Sequence, residues 1–167
     1  MSRHREAILL DNNAIGDAVD HGVWQALLGA YGGQLETVTE VAGEAGSYFR
    51  QLENPDNLMA SLDQLQIHTV TQLDRAELAE KLGGVVLDDG ERDLWAHARK
   101  REDYWILCGP DKASLRAAVK LGQRDRIVSL EELLRAAGIS TRNLPIQHTK
   151  RWLDETVGQF VVEEVLK

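Results

Sequence analysis

Four acidic side chains stand where two strands and two helices could bring them together. Asp11 follows a short apolar run near the N-terminus, and Asp111 follows the most apolar run of the chain after a Gly-Pro turn. Apolar runs of this length indicate buried strands, and the carboxyl ends of parallel strands meet at one edge of a sheet. Glu44 and Glu91 lie beside or on the apolar faces of two predicted helices. The pattern therefore predicts a cluster of Asp11, Glu44, Glu91 and Asp111 at that edge.

Such a cluster has a defined chemistry. Carboxylates that lie close together repel one another and take up protons unless a divalent cation neutralises them. Oxygen ligands without clustered Cys or His favour Mg²⁺ or Mn²⁺ over Zn²⁺. A cation held in this way can activate a bound water molecule.

Each acid also has a simpler local interpretation. Glu44 at the edge of an apolar stripe can reach solvent along its own length. Glu91 can form a capping box with Asp88, and Asp111 can cap the helix that follows it. Helical spacing places Glu91 on the buried side of its helix and Asp93 on the solvent side.

The elements that must position these acids alternate along the chain. Strand and helix patterns follow one another from residue 7 to residue 137, which predicts a three-layer α/β/α fold with a parallel sheet of four or five strands. The first helix is predicted to run from Asn13, its N-cap, to Tyr31, and a strand is predicted over residues 67–71. Residues 1–137 form the predicted domain, and residues 138–167 a C-terminal extension that packs on the domain or on a partner.

Composition limits the classes of function. The chain has 167 residues and a net charge of −8, and residues 1–83 hold 5 Lys and Arg against 13 Asp and Glu. This balance argues against a general nucleic-acid coat and leaves local binding through the cations of the second half. No apolar run is long enough to span a membrane. The single cysteine, Cys108, is expected to be a buried core thiol in a cytoplasmic protein. The histidines show no ligand spacing, and His97 is expected to be exposed.

The order and spacing of these motifs resemble the PIN-domain family, metal-dependent ribonucleases that include the VapC-type toxins. The resemblance covers residues 7–137, and the Asp-x-Gly-Glu segment that ends at Glu91 is similar to the branch in which a glutamate serves as the third acid. The segments that carry it are Ile8-Leu9-Leu10-Asp11-Asn12-Asn13, Val41-Ala42-Gly43-Glu44, Leu87-Asp88-Asp89-Gly90-Glu91 with Trp95-Ala96-His97-Ala98, Ile106-Leu107-Cys108-Gly109-Pro110-Asp111 and Arg126-Ile127-Val128-Ser129-Leu130-Glu131-Glu132-Leu133-Leu134. Gly109 and Pro110 stand where the family often has Ser or Thr.

The resemblance implies a hydrolase that cuts RNA with Mg²⁺ or Mn²⁺. It places the catalytic and metal-binding acids at Asp11, Glu44, Glu91 and Asp111, with Asn13 as a supporting residue. An antitoxin protein and a second copy of the chain are the expected partners. The cations expected near the RNA phosphates are Arg92, Arg99, Lys100, Arg101, Lys112 and Arg116.

Two other functions stay open from the sequence. A PIN-like domain could work as a protein-interaction module, with the segment from Ile139 as its interface. A phosphoacceptor or small-phosphate site would need an alcohol-bearing loop or a glycine-rich phosphate cradle, and neither motif occurs in this sequence.

Overall fold

The computed structural model describes residues 6–167, so residues 1–5 of the predicted domain lie outside the described part. Residues 6–167 form an α/β fold with a parallel sheet of four strands and helices packed against it, which confirms the predicted fold class. The strands are β1 (Ala7–Leu10), β2 (Leu35–Val38), β3 (Gln66–His68) and β4 (Trp105–Cys108).

The helices occupy the connections between strands and the C-terminal third of the chain. They are α1 (Asn12–Asp20), α2 (Trp24–Tyr31), α3 (Thr39–Phe49), α4 (Pro55–Leu62), α5 (Gln72–Leu82), α6 (Asp89–Ala98), α7 (Lys112–Lys120), α8 (Leu130–Ala136) and α9 (Lys150–Val165).

Strand β1 lies inside the sheet, whose order is β3-β2-β1-β4. Ile8 pairs with Leu35 on one side and with Ile106 on the other, and all pairings are parallel. Ile8, Leu9 and Leu10 are fully buried, because a strand covered on both faces has no solvent side. A single parallel bridge between Leu107 and Ile127 extends the sheet beyond β4.

The predicted N-terminal helix is two helices, which corrects the sequence interpretation. Gly22 has a φ of 74°, a left-handed conformation that ends α1 and turns the chain into α2. The N-cap of α1 is Asp11 rather than Asn13, since Asp11 Oδ1 accepts a hydrogen bond of 2.7 Å from the Asn12 amide. The third strand covers Gln66–His68 and is shorter than the predicted span.

Helix α9 packs against α7 through a small apolar cluster of Leu115, Leu153 and Phe160. The guanidinium of Arg116 lies 4.0 Å from the centre of the Phe160 ring, so one basic side chain of α7 covers this contact. Within residues 6–167, no helix is long and apolar enough to cross a bilayer.

Candidate metal centre

The four predicted acids stand at or near the carboxyl edge of the sheet. Asp11 joins β1 to α1, and Asp111 is the N-cap of α7 after β4. A hydrogen bond of 3.0 Å from the Asp11 amide to the Cys108 carbonyl ties the two strand ends together. Glu91 lies in the first turn of α6, and Glu44 lies in α3. Three of the acids therefore sit at helix N-termini, where the helix dipole favours negative charge.

Asp11 is the most enclosed of the four acids. Its residue is 2% exposed, and its Oδ2 is buried with no hydrogen-bond partner among the described residues. The pKa of Asp11 is raised to about 7, mainly by burial and also by the charges of Asp88, Glu44 and Asp111, against the lowering effect of the Asn12 amide. A buried carboxylate oxygen without a donor calls for a cation or a proton.

Gly109 explains how Asp11 fits beneath the loop that follows β4. A Cβ at Gly109 would lie 2.8 Å from the Asp11 Cβ, closer than real Cβ contacts come. The glycine at this position, where the resembled family often has Ser or Thr, is therefore needed for the close approach of the two strand ends.

Glu91 combines a capping role with a place in the cluster. Its amide donates a hydrogen bond of 2.8 Å to Asp88 Oδ1, and its Oε2 accepts a hydrogen bond of 3.4 Å from the Asp88 amide. Together these two bonds form a capping box. Its residue is 3% exposed. Burial raises the pKa of Glu91 to about 8, and the neighbouring charges of Asp111, Asp88 and Asp11 act in the same direction. A side-chain hydrogen bond between Glu91 and Asp111 also raises the pKa of Glu91, because it favours the protonated carboxyl of Glu91.

Glu44 reaches the cluster across the N-terminus of α6. The Gly90 amide donates a hydrogen bond to its carboxylate, and a Cβ at Gly90 would lie 2.6 Å from Glu44 Oε1. Burial raises the pKa of Glu44, and the charge of Asp88 adds to the effect. Asp111 Oδ1 accepts 2.8 Å from the Ala113 amide, which is the capping role expected from sequence.

The cluster is looser than a preformed metal site. In the described part of the chain, one group of three possible metal ligands has all its ligand atoms within 4.8 Å of one another. It consists of Glu36, His68 and His97. No three of the four predicted acids meet that spacing. Burial, and after it the repulsion between neighbouring carboxylates, accounts for the raised pKa values of Asp11 and Glu91.

Asp88 is a member of the cluster that sequence reasoning assigned only to capping. Its charge raises the pKa of Asp11, Glu44 and Glu91 alike. The sequence signal was the capping box itself, because a box that holds Glu91 by its side chain must also place Asp88 beside it.

Asn13, the predicted supporting residue, is the second residue of α1 and is exposed. Its neighbour Asn12 has a buried Oδ1 that finds no hydrogen-bond partner in residues 6–167. The supporting role of Asn13 stays a prediction.

The prediction that Asp93 faces solvent is wrong. Asp93 is 2% exposed, and its two oxygens accept 2.9 and 2.8 Å hydrogen bonds from Arg75 Nε and Nη2. Arg92 Nε adds a bond of 2.9 Å to the same carboxylate. Helix α5 covers the side of α6 that periodicity assigned to water, and its arginine supplies the charge that a buried carboxylate needs.

Most of the predicted RNA-contacting cations are already paired with acids. Arg92 pairs with Asp89 and Asp93, Arg99 with Glu77, Lys100 with Asp74, Arg101 with Glu36 and Asp103, and Arg116 with Glu163. Lys112, beside Asp111, is exposed and has no ion pair within the described chain. Among the cations predicted to contact RNA, Lys112 is therefore the one that, within residues 6–167, is free to bind a phosphate.

A second group of possible ligands lies elsewhere on the sheet. Glu36 on β2, His68 at the end of β3 and His97 in the last turn of α6 converge around the guanidinium of Arg101. The rings of His68 and His97 stack with centres 4.1 Å apart, so His97 is partly buried and not exposed as expected. Sequence reasoning missed this group because its members come from three elements about thirty residues apart.

Comparison with known proteins finds no matching family model, no matching curated protein and no matching solved structure.

Proposed function

We propose that this protein is a metal-dependent endoribonuclease whose centre consists of Asp11, Glu44, Glu91 and Asp111. One observation carries the proposal: Asp11 Oδ2 is buried at the carboxyl edge of the sheet without a hydrogen-bond donor. The carboxylates of Asp88, Glu44 and Asp111 lie close enough to raise its pKa, and Cys108, the single cysteine of the chain, is a buried core residue. An all-oxygen donor set of this kind fits Mg²⁺ or Mn²⁺.

The four acids would divide the work by their burial. Asp11 and Glu91 are enclosed and would hold the inner side of the cation, while Glu44 and Asp111 are half-buried and would face the substrate. When bound, the cation supplies activation of a water molecule and stabilisation of the negative charge that develops on the phosphate. Asp11 and Glu91 would release their protons as the cation binds, because their raised pKa values keep them partly protonated near neutral pH.

RNA is the proposed substrate because of the resemblance of the motif order to the PIN-domain family. The cation that supports this choice is Lys112, which is exposed directly after Asp111. The other proposed phosphate contacts would have to exchange their acidic partners for phosphate, as Arg116 would exchange Glu163. Binding is therefore expected to weaken steeply as salt rises.

An RNA cleavage assay tests the proposal. The full chain is incubated with a mixed single-stranded RNA in Mg²⁺ or Mn²⁺, beside the same reaction with chelator and beside the variants Asp11→Asn and Asp111→Asn. Metal-dependent cleavage is expected for the wild type and for the control Asp89→Asn, whose side chain is exposed and paired only with Arg92. Cleavage that persists in chelator or in both site variants would refute the assignment.

A second candidate function, a protein-interaction module, is favoured by the exposed apolar end of α9. Val162, Val165 and Leu166 are 58%, 77% and 79% exposed. An antitoxin protein or a second copy of the chain would cover them. Light scattering of the wild type and of Val165→Asp measures self-association. If the wild type associates and the variant does not, and if the wild type neither cleaves RNA nor binds metal, the protein-interaction module is the better assignment.

A further inference from the structure

Three nitrogen and oxygen ligands converge at the cluster of Glu36, His68 and His97. His68 Nε2 lies 2.5 Å from Glu36 Oε1, and all three ligand atoms lie within 4.8 Å of one another. Glu36 is 6% exposed, so its carboxylate is enclosed on strand β2. Ligands held at about 2.1 Å by a tetrahedral ion stand roughly 3.4 Å apart, so small side-chain rotations would complete the geometry.

The guanidinium of Arg101 bonds to two of the three ligands, Glu36 and His97. Its Nη1 donates 2.7 Å to Glu36 Oε1 and 3.1 Å to His97 Nε2. The bond to His97 shows that the Nε2 lone pair of this ring points into the cluster, as a metal ligand must. Arg101 is therefore the cation bound at present by two of the acceptors that a metal would use, Glu36 and His97.

Arg101 also pairs with a second carboxylate, that of Asp103, and this pair would remain if Arg101 moved away from Glu36 and His97. Its Nε and Nη2 donate 2.8 and 2.6 Å to the two oxygens of Asp103, which is exposed. This two-bond contact lies outside the ligand group. The guanidinium can therefore turn away from Glu36 and His97 and still stay paired.

We propose that Glu36, His68 and His97 bind a divalent transition metal ion, with Zn²⁺ the best chemical match, in exchange for the guanidinium of Arg101. Two imidazoles and one carboxylate are a ligand set typical of Zn²⁺, with water in the fourth position. The site differs in chemistry from the all-oxygen cluster at Asp11. His68 has a side chain that is 23% exposed, so an ion can enter from solvent.

Binding would tie three elements together. Glu36 lies on β2, His68 on the edge strand β3 and His97 at the C-terminal end of α6, whose N-terminal turn carries Glu91. A ligand that binds the folded state alone raises its stability. We therefore expect Zn²⁺ to raise the melting temperature of the wild type, and not that of His97→Ala.

Metal titration of the purified full chain tests the site directly. The protein is stripped with chelator, dialysed, and titrated with Co²⁺ followed by its visible absorption, and with Zn²⁺ in competition with a coloured chelator. One ion per chain with histidine coordination is expected. His68→Ala and His97→Ala should each weaken binding at least about tenfold, and Arg101→Gln should tighten it, because the competing cation is gone.

Matched variants separate this site from the acidic cluster. His21→Ala, a histidine outside the group, and Arg99→Gln, an arginine paired with Glu77, should bind Zn²⁺ as the wild type does. Asp111→Asn should also leave Zn²⁺ binding unchanged. The proposal is overturned if wild type and Arg101→Gln both bind more weakly than about 100 μM. It is equally overturned if the histidine variants bind as tightly as wild type, or if Asp111→Asn alone abolishes binding.

Discussion

At the scale of single residues, the acids of the candidate centre are unusual because burial and like charge act on them together. Asp11 and Glu91 have pKa values raised to about 7 and about 8, first by burial and then by neighbouring carboxylates. Elsewhere in the described chain a buried acid with a cationic partner behaves in the opposite way. Asp93 has its pKa lowered by Arg75 and Arg92, which outweigh its burial. The contrast singles out the acidic cluster as the place where a positive charge is missing.

The raised pKa of Glu91 predicts that the stability of the metal-free protein depends on pH. Glu91 has a folded pKa of about 8, far above that of an unfolded glutamate, so the folded state holds a proton that the unfolded state has lost. The free energy of unfolding should fall as pH rises from 7 to 9, by about 1–2 kcal/mol. Urea denaturation in chelator at both pH values measures it.

Glu91→Gln keeps the capping box and removes the titrating group. In this variant the free energy of unfolding should therefore change much less between pH 7 and pH 9 than in the wild type. Glu132→Gln, which changes the corresponding glutamate of the capping box at the start of α8, is the matched control and should keep the pH dependence of the wild type. An equal pH dependence in Glu91→Gln and in wild type would contradict the assignment of the effect to Glu91.

A second prediction concerns the space around Glu44. A Cβ at Gly90 would come 2.6 Å from Glu44 Oε1, so Gly90→Ala must push that carboxylate aside. We expect Mn²⁺ binding, measured by calorimetry, to weaken about tenfold while the fold is kept, since alanine favours a helix. Gly43→Ala in α3 meets no atom within 4 Å and is the control. Unchanged Mn²⁺ affinity in Gly90→Ala would remove Glu44 from the ligand set.

At the scale of elements, helix α6 connects the acidic cluster, the ion pair of Asp93 and the histidine group. Its first turn carries Glu91, its middle carries Asp93, and its last turn carries His97. The helix is therefore fixed by a capping box at one end, by Arg75 of α5 along one side, and by the sheet at the other end. Movement of α6 would change the acidic cluster and the histidine group together.

The ion pair on the side of α6 is expected to contribute measurably to stability. Asp93→Ala leaves Arg75 and Arg92 without their shared carboxylate and opens a buried position. The free energy of unfolding should fall by about 2 kcal/mol, measured by urea denaturation at pH 7. Asp89→Asn, whose side chain is 70% exposed, should change it by less than about 0.5 kcal/mol. A loss that is no larger for Asp93→Ala than for this control would mean that the pair adds nothing to stability.

At the scale of the whole molecule, the C-terminal segment packs against the rest of the fold through α7. Leu153 and Phe160 are 7% and 5% exposed where they meet Leu115. Arg116–Glu163 and Lys120–Glu164 ion pairs flank this contact. The same helix α7 begins at Asp111, so the packing of α9 and the position of one acid of the candidate centre are linked through a single element.

Removal of the Phe160 ring tests this packing. Phe160→Ala empties the contact with Leu115 and Leu153, and the melting temperature should fall with a loss of about 3 kcal/mol in the free energy of unfolding. Val162→Ala, on the same helix but 58% exposed, should be nearly neutral. Equal effects of the two substitutions would show that α9 does not pack on α7 in solution.

The amino-acid sequence alone was enough to predict the fold class and the carboxyl ends of β1 and β4, although not the end of β3. Apolar runs too short for helices, alternating with helical periodicity, dictated a parallel sheet, and the residues directly after β1 and β4 had to lie at its carboxyl edge. Asp11, Glu91 and Asp111 could thus be placed near one another, since each follows from local spacing or capping. The exposure of Asp93 and His97 could not, because it depends on what packs against the outer side of α6.

The pairing of charges between elements could be seen only in the folded structure. Arg75 reaches Asp93 from α5, and Arg101 bonds to Glu36 of β2 and to His97 of α6. Helical period and strand alternation fix directions within one element, but contacts between elements depend on how these are arranged in space. Arg75 and Arg92 pair with Asp93, and Arg116 pairs with Glu163, so these arginines do not neutralise the acidic cluster. Asp11 Oδ2 is therefore left for a proton or a metal ion.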